Sequence, residues 1–172
     1  MFYKWSETII LSQLVILTLF IPEHGLAQDS QISYFPEITV TEEQGRELRT
    51  IEEQTIAVLE RLGDDLKERQ LDYKNVVVSN VFLKDTRDFQ AMNTIYRTYF
   101  DEDAPTRATV EVDLLDPKAL IQVSAVATNG PKEIIIPAGL RSPGLPYSWG
   151  IMVDNTLFIS GATSRSPETY QP

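Results

Sequence analysis

The chain has 172 residues, 42% of them hydrophobic and 23% charged, enough for one ordinary globular domain and too apolar for a disordered polymer. Fifteen Lys and Arg against twenty-five Asp and Glu leave a formal charge of −10, so the field of the whole protein opposes phosphate backbones and nucleic acid is not expected as a partner. Cysteine is absent and His24 is the sole histidine, which excludes disulfides, thiolate nucleophiles and zinc fingers and argues against a multi-histidine metal site or an ordinary Ser-His-Asp triad.

Residues 9–21 form an uncharged apolar run behind Lys4, followed by Pro22 and the small residues Gly25 and Ala27. This is the order of a signal peptide cut after Ala27, and the run is shorter than the roughly 20 residues a spanning helix needs. The expectation is an exported protein, periplasmic or secreted, with no stable membrane anchoring after cleavage. Residues 28–172 then hold a net charge of −9 and no histidine, so any proton transfer must use carboxylate, tyrosine, backbone or water.

Residues 28–44 read as a linker with one short strand near Ile38–Thr39–Val40. From Gly45 to Leu62, apolar Leu48, Ile51, Val58, Leu59 and Leu62 recur near the helical period and predict an amphipathic helix ending at about Gly63. The β-branched run 75–83 predicts a strand buried on both faces. Asp85 or Thr86 caps a second helix, whose inner stripe of Phe89, Met92, Tyr96, Tyr99 and Phe100 reads as core. Past the acidic loop 101–103 and Pro105, strands are predicted at 107–112, 120–127, 133–136, 148–153 and 156–160, with Asp154–Asn155 as a tight hairpin turn. Helix, strand, helix and five strands give an α+β fold, a two-layer sandwich with two helices packed on one face of a mixed β-sheet.

The run Y-K-N-V-V-V-S-N-V-F-L-K-D-T-R-D-F-Q-A-M-N-T-I-Y-R-T-Y-F, residues 73–100, leads into A-P-T-R-A-T-V-E-V at 104–112. I-E-E-Q-T at 51–55 and I-Q-V-S-A-V-A at 121–127 flank it at consistent spacing. Together these motifs resemble the RidA (YjgF) family of imine deaminases. The segment P-G-L-P-Y-S-W-G-I-M-V-D-N-T-L-F-I-S-G-A-T, residues 143–163, resembles the beginning of a RidA domain although it follows the family's end. Residues 45–130 thus read as the C-terminal part of such a domain and 131–172 as its N-terminal part. Two arrangements fit: a tandem protein cut inside its second copy, or a circular permutant in which both parts complete one fold, as surface-lying termini permit.

The resemblance implies hydrolysis of 2-imino acids to 2-keto acids and ammonia, without cofactor or metal, by a homotrimer whose sites lie between subunits. Arg107 matches the arginine that binds the substrate carboxylate, for which a planar pair of donors is suited. Tyr147, Ser160 and Gly161 match further substrate-binding positions, with a hydroxyl and a backbone N–H facing the ligand, and Arg107 of one domain is expected to meet them from another. Leu145 stands where glycine is usual. Asn93 is read as structural or at the rim. Gln122 replaces the glutamate thought to hold the hydrolytic water; glutamine can hydrogen-bond that water but cannot take its proton. Glu111 is a poor substitute, since about 13 Å of strand separates it from Arg107. The alternative expectation is a non-catalytic trimeric module binding small carboxylates. The endoribonuclease label of some members fits poorly with an acidic surface lacking histidine.

Overall fold

The computed structural model describes residues 30–100, 103–140 and 143–161. The expected signal peptide with His24, the acidic pair Asp101–Glu102 and the C-terminal tail lie outside the described residues.

Two short-range devices set the helices. Thr41 accepts the Gln44 N–H and Thr50 the Glu53 N–H, and each third residue's side chain returns a bond to its cap, closing two capping boxes. They divide the expected helix into α1 (Glu42–Glu47) and α2 (Ile51–Glu68). Helix α2 runs through Gly63 instead of ending there. A Cβ at Gly63 would stand 2.2 Å from the Tyr73 hydroxyl, which donates to Leu59 O at 2.7 Å, so this glycine provides clearance for a crossing ring.

The main sheet has the order β1 (Ile32–Thr39), β4 (Ile121–Thr128), β2 (Val76–Leu83), β3 (Thr106–Glu111). Strands β2 and β3 are parallel and joined through α3 (Phe89–Tyr99), while the other pairs are antiparallel. Val58, Leu59, Leu62 and Leu66 of α2, with Met92 and Tyr96 of α3, pack on Val81, Leu83, Ile121, Val123 and Ala125. Each fully buried aliphatic side chain contributes about 1.5–3 kcal/mol. The predicted mixed sheet with both helices on one face is the architecture found.

Strand β1 differs from the expected linker. The register shifts between Phe35 and Ile38, so both point inward although three residues apart, and the period of two that marks a strand is broken. Its outer edge carries Pro36, and Arg69 and Arg61 donate to the carbonyls of Tyr34 and Thr39, each at 3.2 Å. Such an edge resists further pairing.

A second antiparallel sheet holds β5 (Glu133–Ile135), β6 (Gly150–Val153) and β7 (Thr156–Ile159). Asp154, at the predicted hairpin turn, takes φ +49°. This sheet adds a third layer: Ile151 and Val153, with Ile134 and Phe158, cover Val77, Val78, Val126 and Ile32 on the face away from the helices. Ser148 Oγ donates to Ala104 O at 2.6 Å, Ser148 N to Pro105 O at 3.1 Å, and Ser30 N to Asp154 Oδ2 at 2.9 Å. Residues 143–161 therefore fold against the rest as part of one body, which both expected arrangements allow.

Burial, reinforced by Tyr99, Asp64 and Glu60, raises the Tyr73 hydroxyl from 10 to about 12. The folded state thus retains this proton more tightly than the unfolded chain. The resulting stability is complete below pH 10 and lost as pH rises through about 12. Tyr73→Phe is expected to show a shallower decline of urea midpoint over that window than the parent; equal slopes would remove Tyr73 as the cause.

Candidate active site

Parallel register sets Arg107 beside Ser79 and Thr109 beside Val81, and the period of two turns Arg107 and Thr109 toward α3. The main chain of Arg107 is held on both sides: its N–H donates to Ser160 Oγ at 2.8 Å and its carbonyl accepts the Gly161 N–H at 3.0 Å. Ser160 Oγ in turn donates to Ser148 O at 2.6 Å. A Cβ at Gly161 would lie 3.3 Å from Ala108 Cβ, so glycine permits this close approach.

The Arg107 side chain is 5% exposed, with Cζ 4.9 Å from the Tyr96 ring centroid, 5.6 Å from Tyr147 and 5.7 Å from Phe89. Cation–π contacts of this length are each worth about 0.5–2 kcal/mol. Burial pulls its pKa down, the Tyr96 and Tyr147 rings oppose this, and Arg97 adds to it; the guanidinium remains a cation. Among the described residues no carboxylate forms an ion pair with it.

Among the described residues, both amide atoms of Asn93, Arg107 Nη1 and Thr109 Oγ1 are buried side-chain polar atoms without a hydrogen-bond partner, while the equally buried Ser79 and Tyr96 hydroxyls have only a weak interaction with each other. All lie on β2, α3 and β3 around this guanidinium: Asn93 sits between Phe89 and Tyr96 on one helical face, and both of those rings touch Arg107. Burial drives the Tyr96 hydroxyl strongly upward in pKa, keeping it a neutral donor. An unsatisfied buried polar group costs about 1–3 kcal/mol. These groups share the elements that pack around Arg107.

Tyr147 and Ser160 reach Arg107 within the chain itself. The Ser160 hydroxyl and Gly161 N–H, expected to face ligand, are instead engaged with the Arg107 main chain. Gln122 is not part of this cluster. It pairs with Phe82 and Thr39 and alternates with inward-facing Ile121 and Val123, which puts it on the sheet face away from the helices. Glu111 accepts the Thr86 N–H at 2.7 Å and hydroxyl at 2.8 Å, so its carboxylate has a local task. Asn93, read as structural or at the rim, is 5% exposed in the cluster, and Ser79, Tyr96 and Thr109 were missed. The available signals were a polar residue on the inner stripe of α3 and a threonine two positions along the strand from Arg107.

Among the described residues, no group of three His, Cys, Asp or Glu could hold a metal ion, and no helix is long and apolar enough to cross a membrane.

The endoribonuclease L-PSP family model matches residues 37–129, more than half of the chain. The chain belongs to this family, RidA/YjgF. Its RidA part is 46% identical over 78 residues to a RutC family protein of Synechocystis, covering 45% of this chain and 60% of the relative. It is 38% identical over 81 residues to the 2-iminobutanoate/2-iminopropanoate deaminase of Rattus norvegicus, covering 47% and 59%. The chain thus spans about three fifths of these curated relatives. A YjgF-family structure from Neisseria meningitidis shares the fold, with TM-score 0.53 and 23% identity over 58% of this chain and 81% of that one. A candidate endoribonuclease L-PSP from Entamoeba histolytica gives TM-score 0.52 and 29% identity over 56% and 79%.

In this RidA chain Arg107 is a buried charge with no carboxylate partner among the described residues. Arg107→Met is expected to be neutral or stabilising by about 1–4 kcal/mol in urea unfolding. Ser160→Ala, which removes two hydrogen bonds, is expected to lose about 1–3 kcal/mol. A loss above about 2 kcal/mol for Arg107→Met would mark the arginine as a structural element.

Proposed function

We propose that the protein hydrolyses reactive 2-imino acids, of the 2-iminopropanoate and 2-iminobutanoate type, to 2-keto acids and ammonia. The observation that carries this reading is the buried Arg107 guanidinium, which has no carboxylate partner among the described residues and whose Nη1 is without a hydrogen bond. The relatives named as 2-iminobutanoate/2-iminopropanoate deaminases support the substrate class. A guanidinium holds the substrate carboxylate by paired charge-assisted bonds and fixes the imine carbon beside it. Water adds its hydroxyl to that carbon and a proton to the imine nitrogen, giving a carbinolamine; the hydroxyl proton then passes to nitrogen as the C–N bond breaks, the C=O bond forms and ammonia leaves. Asn93 and the Tyr96 and Thr109 hydroxyls are the neutral hydrogen-bonding groups on the elements packed around Arg107.

Gln122 enters this scheme only from another copy, because within one chain it lies on the opposite face from Arg107. A homotrimer that sets the open face of one sheet against the Arg107 site of the next supplies that meeting. Exposed Val110 and Tyr34 and half-buried Phe82 on the open face suit such burial. There Gln122 orients water by hydrogen bonds without accepting its proton. Residues 1–27 are proposed to direct export.

Gln122 also favours a second reading, a trimeric binding module for small carboxylates that keeps the clamp and has lost the chemistry. The discriminating experiment generates 2-iminopropanoate in situ and follows keto-acid release by the purified chain. Acceleration that Arg107→Ala reduces at least about 10²-fold supports the deaminase. Gln122→Glu is expected to raise the rate by about 10²–10⁴-fold where proton transfer limits it. A folded trimer with no acceleration, whose Gln122→Glu variant is equally inert, would leave only the binding module.

A further inference from the structure

A cleft of about 320 Å³ lies on the far side of Tyr147, whose ring also faces Arg107. That volume falls within the range of roughly 300–1,000 Å³ typical of small-ligand sites. Tyr147 is the wall common to both: it lines the cleft, and its ring centroid is 5.6 Å from Arg107 Cζ. The remaining apolar walls include Phe100, Ile134, Ile136, Leu145 and Trp149. We infer that this cleft receives the side chain of the bound 2-imino acid and selects long apolar or aromatic side chains over methyl and ethyl ones.

The inference rests on the deaminase or carboxylate-binding reading and adds the substrate's distal half to it. A three- or four-carbon imino acid is consumed by its carboxylate and reacting carbon, both of which belong at the Arg107 cluster. It would leave the space beyond Tyr147 unfilled. Among the described residues, the charged ones lining the cleft are Arg97 and Asp103, opposite in sign. Arg97 is further committed, donating from Nη2 to Gly144 O at 3.1 Å. Ile136 and Leu145 are 52% and 37% exposed, and a ligand's apolar end would cover them. Leu145 also adds a side chain at a position where the resembled family pattern has glycine.

The test is isothermal titration of the full chain with 2-ketobutyrate and with phenylpyruvate, the product forms of a small and an aromatic substrate. Phenylpyruvate is expected to bind at least about tenfold more tightly, since each added methylene in an apolar pocket is worth roughly 10–200-fold. Ile136→Gln, at an exposed position outside the Arg107 cluster, is expected to narrow that ratio at least about threefold while 2-ketobutyrate affinity holds. Leu145→Gly should act in the same direction and checks the first variant. Equal or weaker binding of phenylpyruvate, or a ratio unmoved by both substitutions, overturns the selectivity while leaving the carboxylate site intact. Failure of both keto acids to bind removes the carboxylate site itself and the inference with it.

Discussion

Arg107 holds a full positive charge in a 5% exposed position that no carboxylate among the described residues neutralises, and the surrounding architecture can be read as the means of keeping it there. Three rings supply electrostatic attraction without occupying the guanidinium donors, of which Nη1 has no partner among the described residues. The main chain beneath is fixed by Ser160 and Gly161, residues 53 and 54 positions further along the chain. Tertiary placement thus limits where the charge can move.

Much of the fold was legible because its signals are local. The β-branched run 75–83 and the inner stripe of α3 came out as a strand and a helix at nearly their predicted bounds. Strand β1 was not legible, since the irregularity between Phe35 and Ile38 destroys the alternation by which a strand is recognised. The end of α2 was misplaced because Gly63 answers to a contact with Tyr73, ten residues on, that local propensity does not register. The third layer was also hidden, as it depends on residues 150–159 meeting Val77 and Val126 across the chain.

The site divides in the same way. Arg107, Tyr147, Ser160 and Gly161 were singled out through motif resemblance, and the fold gathers them, though Ser160 and Gly161 hold the arginine's backbone. Tyr96 was assigned to the core, which is true of its ring; its hydroxyl is the part that belongs to the site. A side chain with an apolar body and a polar tip serves both ends, and a periodicity argument sees only the body. Gln122 was placed on the correct strand, but pairing with Phe82 turns it away from Arg107.

The bond from Ser30 N to Asp154 spans 124 positions, and the Arg107–Ser160 bond spans 53. Contacts of such separation form late, since loop closure must precede any gain from them. Synthesis proceeds from the N-terminus, so the helices and β2–β4 can assemble while residues 148–161 are still being added. During that interval the free edge of β3 lacks its Ser160 and Gly161 partners and Val77 and Val126 lack their cover. Residues 148–161 therefore fix the Arg107 main chain and cover Val77 and Val126 only after β2–β4 have been made.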